Sequence, residues 1–141
     1  MSADTLGRHR ILVVDADERE RRETARVLGE AGYAVDTAAG KTEVVTLLNQ
    51  HDYDLALADL KMPELNGPAF YQVLKECSRV TVPPVIFRIE RGYTPEYAHF
   101  LMRLAAPVLM KRASAADLRL AVERQLPPSP AAPRAASSLA S

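Results

Sequence analysis

Three ionisable residues stand at the ends of short apolar runs. Leu55-Ala56-Leu57-Ala58 ends in Asp59, followed by Leu60-Lys61-Met62-Pro63 and then Gly67. Ile11-Leu12-Val13-Val14 ends in Asp15-Ala16-Asp17, and Val108-Leu109-Met110 ends in Lys111. Apolar runs of this length with turn residues behind them predict buried strands, so each charged group falls where its strand emerges into a loop. Open α/β sheets place their chemistry at that edge. If the three strands are parallel neighbours, two or three carboxylates and one ammonium converge, a set suited to a divalent cation and a phosphoryl group.

The elements that must position these groups alternate strand with helix. Glu18 to Ala31 predicts a helix with Thr24, Val27, Leu28 and Ala31 inward and Gly32 as its left-handed cap. Tyr33 to Thr37 alternates as a short strand, and Val44, Leu47 and Leu48 recur at helical spacing between Lys41 and Gln50. Phe70, Val73, Leu74 and Cys77 mark a helix after the Asp59 strand, with Pro68 suited to its first turn. Val85-Ile86-Phe87 is the fourth strand, held clear of Pro83-Pro84. A fourth helix begins at Thr94-Pro95, with Tyr97, Leu101 and Leu104 on one face; Ser114 and Asp117 form a capping box for a fifth, whose stripe is Leu118, Ala121, Val122 and Leu126. Five strand–helix units with short connections imply a parallel sheet covered on both faces.

The 141 residues are 48% hydrophobic, and 18 Lys and Arg balance 18 Asp and Glu. That length predicts one domain, taken as residues 8–126, and the zero net charge gives no sign of a nucleic-acid partner. Cys77 is the single cysteine, which excludes an internal disulfide and suits a reducing compartment. No apolar run approaches membrane-spanning length, so a soluble cytoplasmic protein without membrane contact is expected. From Pro127 to Ser141 the chain is almost all Pro, Ala and Ser, a composition that predicts a disordered tail and no attached output module.

From about Arg10 to Leu126 the chain resembles a bacterial response-regulator receiver domain. The resemblance rests on Asp59-Leu60-Lys61-Met62-Pro63 with Gly67, on the Asp15 strand and on Lys111 in the right order. It implies a flavodoxin-like sheet of order 2-1-3-4-5. It further implies a stand-alone, non-enzymatic module of two-component phosphorelay signalling. Asp59 would be the phosphoacceptor, Lys111 would bind the phosphoryl oxygens, and the Lys61 carbonyl, Asp59 and, through water, Asp15 would hold Mg2+. Expected partners are a sensor histidine kinase or phosphotransfer protein and a downstream protein. The face formed by helix four, strand five and helix five would be the site of readout or homodimer formation. On it Phe100, with Tyr93 and Met102, is expected nearer solvent than Tyr97 and Leu101.

Four positions depart from the family pattern. Ala16 replaces the second acid of the usual pair, which leaves two carboxylates and predicts weak or absent Mg2+ binding without a phosphoryl group. Asp17 substitutes for it only if its loop bends inward; its other reading is a helix cap. Ile89, or Arg88 on a one-residue shift, stands where the family has Ser or Thr. Arg88 so placed would touch a phosphate or be a solvated or ion-paired strand-end charge. Val108 replaces the aromatic of strand five. Arg112 replaces a proline that follows a cis bond, so a trans linkage is expected and with it a shifted Lys111.

Two readings compete with the phosphorylated receiver. One is a pseudo-receiver that binds partners without phosphorylation. The other is a haloacid-dehalogenase-like phosphatase using Asp15, although Glu18-Arg19 stands where those enzymes have Gly-Thr. Gly40-Lys41-Thr42 is read as a helix start, not as part of a phosphate loop. The three histidines lack metal-ligand spacing. The run Glu18-Arg19-Glu20-Arg21-Arg22-Glu23 predicts a solvated helix face with internal ion pairs, on the helix where the family docks its kinase.

Overall fold

The computed structural model describes residues 8–90 and 95–126. Tyr93 and the segment 127–141, with the expectations placed on them, lie outside the described residues. The elements run β1 (Arg10–Val14), α1 (Glu18–Glu30), β2 (Ala34–Ala38), α2 (Lys41–Gln50), β3 (Leu55–Asp59), β4 (Lys61–Met62), β5 (Leu65–Asn66), α3 (Gly67–Cys77), β6 (Val85–Ile89), α4 (Pro95–Leu104), β7 (Val108–Met110) and α5 (Ala115–Gln125). Five parallel strands lie in the order β2-β1-β3-β6-β7, which is the expected 2-1-3-4-5 once the small hairpin β4-β5 is set aside.

Alternation along each strand splits the core into two layers. Leu12, Val14, Ala56, Ala58, Phe87 and Ile89 point to the side covered by α2, α3 and α4. Ile11, Val13, Leu55, Leu57 and Ile86 point to the side covered by α1 and α5. The helices answer with the stripes read from spacing: Val44 and Leu48; Phe70, Val73 and Leu74; Leu101; then Val27 and Leu28, with Leu118 and Val122. Ala31, expected inward, lies exposed at the cap of α1.

Helix starts are fixed by side chains that accept otherwise unpaired amides. Asp17 accepts from Glu20 N at 3.0 Å, Asn66 from Ala69 N at 3.0 Å and Ser114 from Asp117 N at 3.0 Å. Gly32 closes α1 with φ 103°, as its position predicts. At the sheet end remote from Asp15, Asp36 Oδ2 accepts from Arg10 Nη1 at 2.8 Å and from the Tyr53 hydroxyl at 2.7 Å. Burial and the Asp36 hydrogen bond raise the Tyr53 pKa, so the phenol stays protonated there.

Two features had no counterpart in the periodicity. The first is the hairpin, in which Lys61 pairs with Asn66 and Met62 with Leu65, closed by Gly67 N donating to Leu60 O at 2.8 Å. The second is Phe100, which is half-buried rather than solvent-facing. Its ring lies edge-on to Phe87 at 5.5 Å and to Tyr71 at 6.4 Å. A Cβ on Gly67 would come within 2.6 Å of Leu60 Cδ1, 3.2 Å of Phe100 and 3.3 Å of Phe87, so the start of α3 can pass there only without a side chain.

Candidate functional site

Each expected site residue leaves the sheet at one rim. Asp15 follows β1 directly and its amide still donates to Ala38 O of β2 at 3.1 Å. Asp59 is the last residue of β3. Lys111 follows β7 and its amide donates to Ile89 O of β6 at 2.8 Å. Ladder hydrogen bonds therefore fix all three backbones before any side-chain contact is considered.

The Lys111 ammonium lies among three carboxylates: Glu20 Oε1 at 2.8 Å, Asp59 Oδ2 at 3.0 Å and Asp15 Oδ2 at 3.9 Å. Its side chain is only 10% exposed, against 15% for Asp59, 6% for Asp15 and 43% for Glu20. Burial alone would lower the Lys111 pKa. The hydrogen bonds to Glu20 and Asp59 and the nearby Asp15 charge outweigh it and hold the ammonium above the ordinary lysine value. Burial pushes the Asp15 carboxyl up, opposed by the Asp17 amide, which donates to its Oδ1 at 2.9 Å, and by Lys111. The other oxygen of the central acid, Asp59 Oδ1, accepts from Lys61 N at 3.3 Å.

The rest of the sequence expectations sort by where their atoms point. Asp17 is exposed and spends its carboxylate on the α1 N-terminus, which lowers its pKa; it does not turn inward to replace the acid missing at Ala16. Lys61 is exposed, with its amide toward Asp59. Ile89 is buried on the α4 side, and Val108, Met102 and Met110 are exposed on the face flanked by α4 and α5. Among the described residues every peptide bond is trans, including that to Arg112, and Lys111 still reaches Asp59.

One residue of the site, Glu20, escaped sequence reasoning, and a second, Arg88, falls there only on a one-residue shift. Glu20 lay inside a mixed charge run in which Arg22 pairs along α1 with Glu18 at 2.6 Å and Glu23 with Arg26 at 2.6 Å, while Arg21 donates to Asp15 O at 2.8 Å. Only its position three residues after Asp17, in the first turn of α1, hinted at the sheet rim. Arg88 is neither solvated nor ion-paired: it is 8% exposed and lies on the α1 side. It donates through Nη2 to Lys111 O at 2.7 Å and Met110 O at 3.4 Å, and through Nη1 to Thr24 Oγ1 at 3.2 Å. Beside it a groove of about 960 Å³ opens between α1 and α5, bounded by Glu20, Thr24, Val27, Lys111 and Leu118.

Comparison with known proteins decides the family. A family model, the response regulator receiver domain, matches residues 11–123. The chain belongs to that family. One relative, the response regulator Rre1 of Synechocystis, is 35% identical over 85 residues, 60% of this chain and 37% of that protein. The alginate biosynthesis transcriptional regulatory protein AlgB of Pseudomonas syringae is 31% identical over 128 residues, 89% of this chain and 28% of that protein. The chain thus spans well under half the length of these curated relatives. Among solved structures, the chemotaxis protein CheY4 of Vibrio cholerae superposes with TM-score 0.73 at 24% identity over 84% of this chain and 99% of that one. A receiver domain from Clostridium thermocellum gives 0.68 at 28% identity over 83% and 93%. Receiver domains are signalling modules that bind Mg2+ at their acidic pocket and interact with histidine kinases or phosphotransfer proteins. No helix among the described residues is long and apolar enough to cross a membrane.

The donors of this receiver do not fit a magnesium ion. Ala16 brings no carboxylate, Asp17 brings its own to a helix end, and Glu20 is bound to Lys111. Asp15 and Asp59 remain, both facing the Lys111 ammonium, with the Arg88 guanidinium beside them. With no acid at position 16 and the Lys111 ammonium already seated among the remaining carboxylates, these donors attract a divalent ion weakly.

Proposed function

We propose that this receiver accepts a phosphoryl group at Asp59 from a histidine kinase or phosphotransfer protein, and signals by contacts with a downstream protein. The observation that carries the reading is the 3.0 Å contact between Lys111 Nζ and Asp59 Oδ2 at the sheet rim. An ammonium there is placed to meet phosphoryl oxygens as a point charge. The exposed apolar groups Met102, Val108 and Met110 support the face flanked by α4 and α5 as the partner or dimer surface.

The test is exposure to acetyl phosphate followed by intact-mass measurement and amide NMR. Wild type gains the mass of one phosphoryl group and shows shifted peaks around residues 15, 59 and 111, and Asp59→Asn shows neither. A wild type that stays unlabelled at millimolar donor overturns the reading.

A pseudo-receiver is the second reading, supported by Ala16, by buried Ile89 where a hydroxyl is usual, and by exposed Val108 where an aromatic is usual. It keeps the docking faces and predicts that Asp59→Ala binds its partner as wild type does. The phosphatase reading gains no support, because Asp15 is 4% exposed and already accepts the Asp17 amide.

A further inference from the structure

We propose that Arg88 acts with Lys111 as a built-in counter-charge for the phosphoryl group, so that Asp59 is phosphorylated without a divalent cation. The inference rests on Asp59 being the phosphoacceptor, as proposed above. Its starting point is the disagreement between the donor set and magnesium.

Asp59 and Arg88 are register partners on adjacent parallel strands. Leu57 and Ile86, two residues earlier in each strand, share the α1/α5 layer, so alternation puts Asp59 and Arg88 on that same face. Arg88 is more than nine-tenths buried and every partner of its guanidinium is neutral: a hydroxyl and two carbonyls. Its Nε has no acceptor. A buried cation without a carboxylate of its own is expensive to retain, and a neutral side chain of similar volume would fill the site more cheaply. Burial presses its pKa down, while Asp15, Glu20 and Asp59 hold the charge in place. The guanidinium is thus coupled to the acids of the rim through space, and to Lys111 through the 2.7 Å bond to that residue's carbonyl.

Phosphoryl transfer from an acyl phosphate needs little from the protein except charge and position. An Asp59 oxygen forms a bond to phosphorus, the bond from phosphorus to the acyl oxygen breaks, and its electron pair leaves with the carboxylate. No proton or electron enters or leaves. The anion–anion approach is eased by Lys111 in contact and by the field of Arg88, which is held on the adjacent strand on the same face. Arg88 is a positioning residue here, since it acts through its field and through the loop that carries Lys111.

The experiment uses the full chain, acetyl phosphate and intact mass, with millimolar magnesium or with EDTA. Wild type is expected to label at rates within about threefold in the two media. Arg88→Met is expected to lose at least about tenfold in EDTA, and Arg88→Lys, which keeps the charge but loses the forked hydrogen bonds, to recover most of the rate. Ala16→Asp, which restores the usual acid, is expected to make labelling magnesium-dependent. Labelling of wild type in magnesium alone overturns this inference and leaves Asp59 as phosphoacceptor. Equal EDTA rates for wild type and Arg88→Met also overturn it. No labelling in either medium removes both. The wild-type ratio between media decides even if Arg88→Met does not fold.

Discussion

The two faces of strand β6 are built on different physics. Toward α3 and α4 it presents Phe87 and Ile89, which join Phe70, Phe100 and Leu101 in an apolar, ring-stacked layer. Toward α1 and α5 it presents Ile86 and Arg88, and the apolar layer stops there, giving way to Thr24, Lys111 and three carboxylates. The lesson is a division of labour within one strand. The first face stabilises by excluded water and close packing; the second spends stability on charges held at a rim.

The comparison breaks most visibly at Phe87. Replacing it with Ala should cost about 3–5 kcal/mol, because the ring is fully buried against Phe70 and Phe100 and its space cannot collapse. Urea unfolding measures this, and a loss under about 1 kcal/mol would show that the α4 side is not the packed face. Next comes Gly67→Ala, expected to cost about 1–3 kcal/mol, since the new methyl meets the fully buried Leu60 side chain at 2.6 Å.

Effects on the polar face are smaller and of different kind. Glu20→Gln removes the anion that competes for Lys111, so acetyl phosphate should label Asp59 about two- to fivefold faster, the scale of a part-exposed ion pair. A slower rate would make Glu20 a helper instead of a competitor. Asp15→Asn should raise the melting midpoint at neutral pH by about 1–3 °C. The sign follows from burial having raised the Asp15 pKa above 3.8: the folded state is favoured while this acid is protonated and loses that advantage as pH rises through the folded value. The gain from Asn therefore vanishes below about pH 4, where Asp15 is neutral in both states, and a pH series of melts tests it. The least effect is that of millimolar magnesium on wild type, expected to move the midpoint by under about 1 °C.

These two faces were unequally legible from residue order. Phe87, Leu101, Phe70 and Leu118 announce themselves by period, and Asp15, Asp59 and Lys111 by closing apolar runs; periodicity and strand ends are short-range properties of a chain. Glu20 and Arg88 are different. Glu20 meets a lysine that lies beyond six intervening strands, and nothing in a run of mixed acids and arginines singles out the member that points at the sheet. Arg88 required knowing that β6 continues to Ile89, two residues past its apolar start, because a one-residue change of register exchanges the faces on which residues 88 and 89 lie. Phe100 failed for a related reason: helical spacing groups residues onto a stripe but does not say how wide the covered stripe is. The hairpin β4-β5 hid in what reads as a simple Met-Pro turn.

That hairpin has an entropic consequence. Residues 61–66 are tied to each other by a ladder and to Leu60 by the Gly67 amide, so the loop that carries the backbone next to Asp59 is already ordered in the free protein. Whatever engages this aspartate gives up no affinity to freeze that segment, and discrimination among donors is left to shape and charge alone.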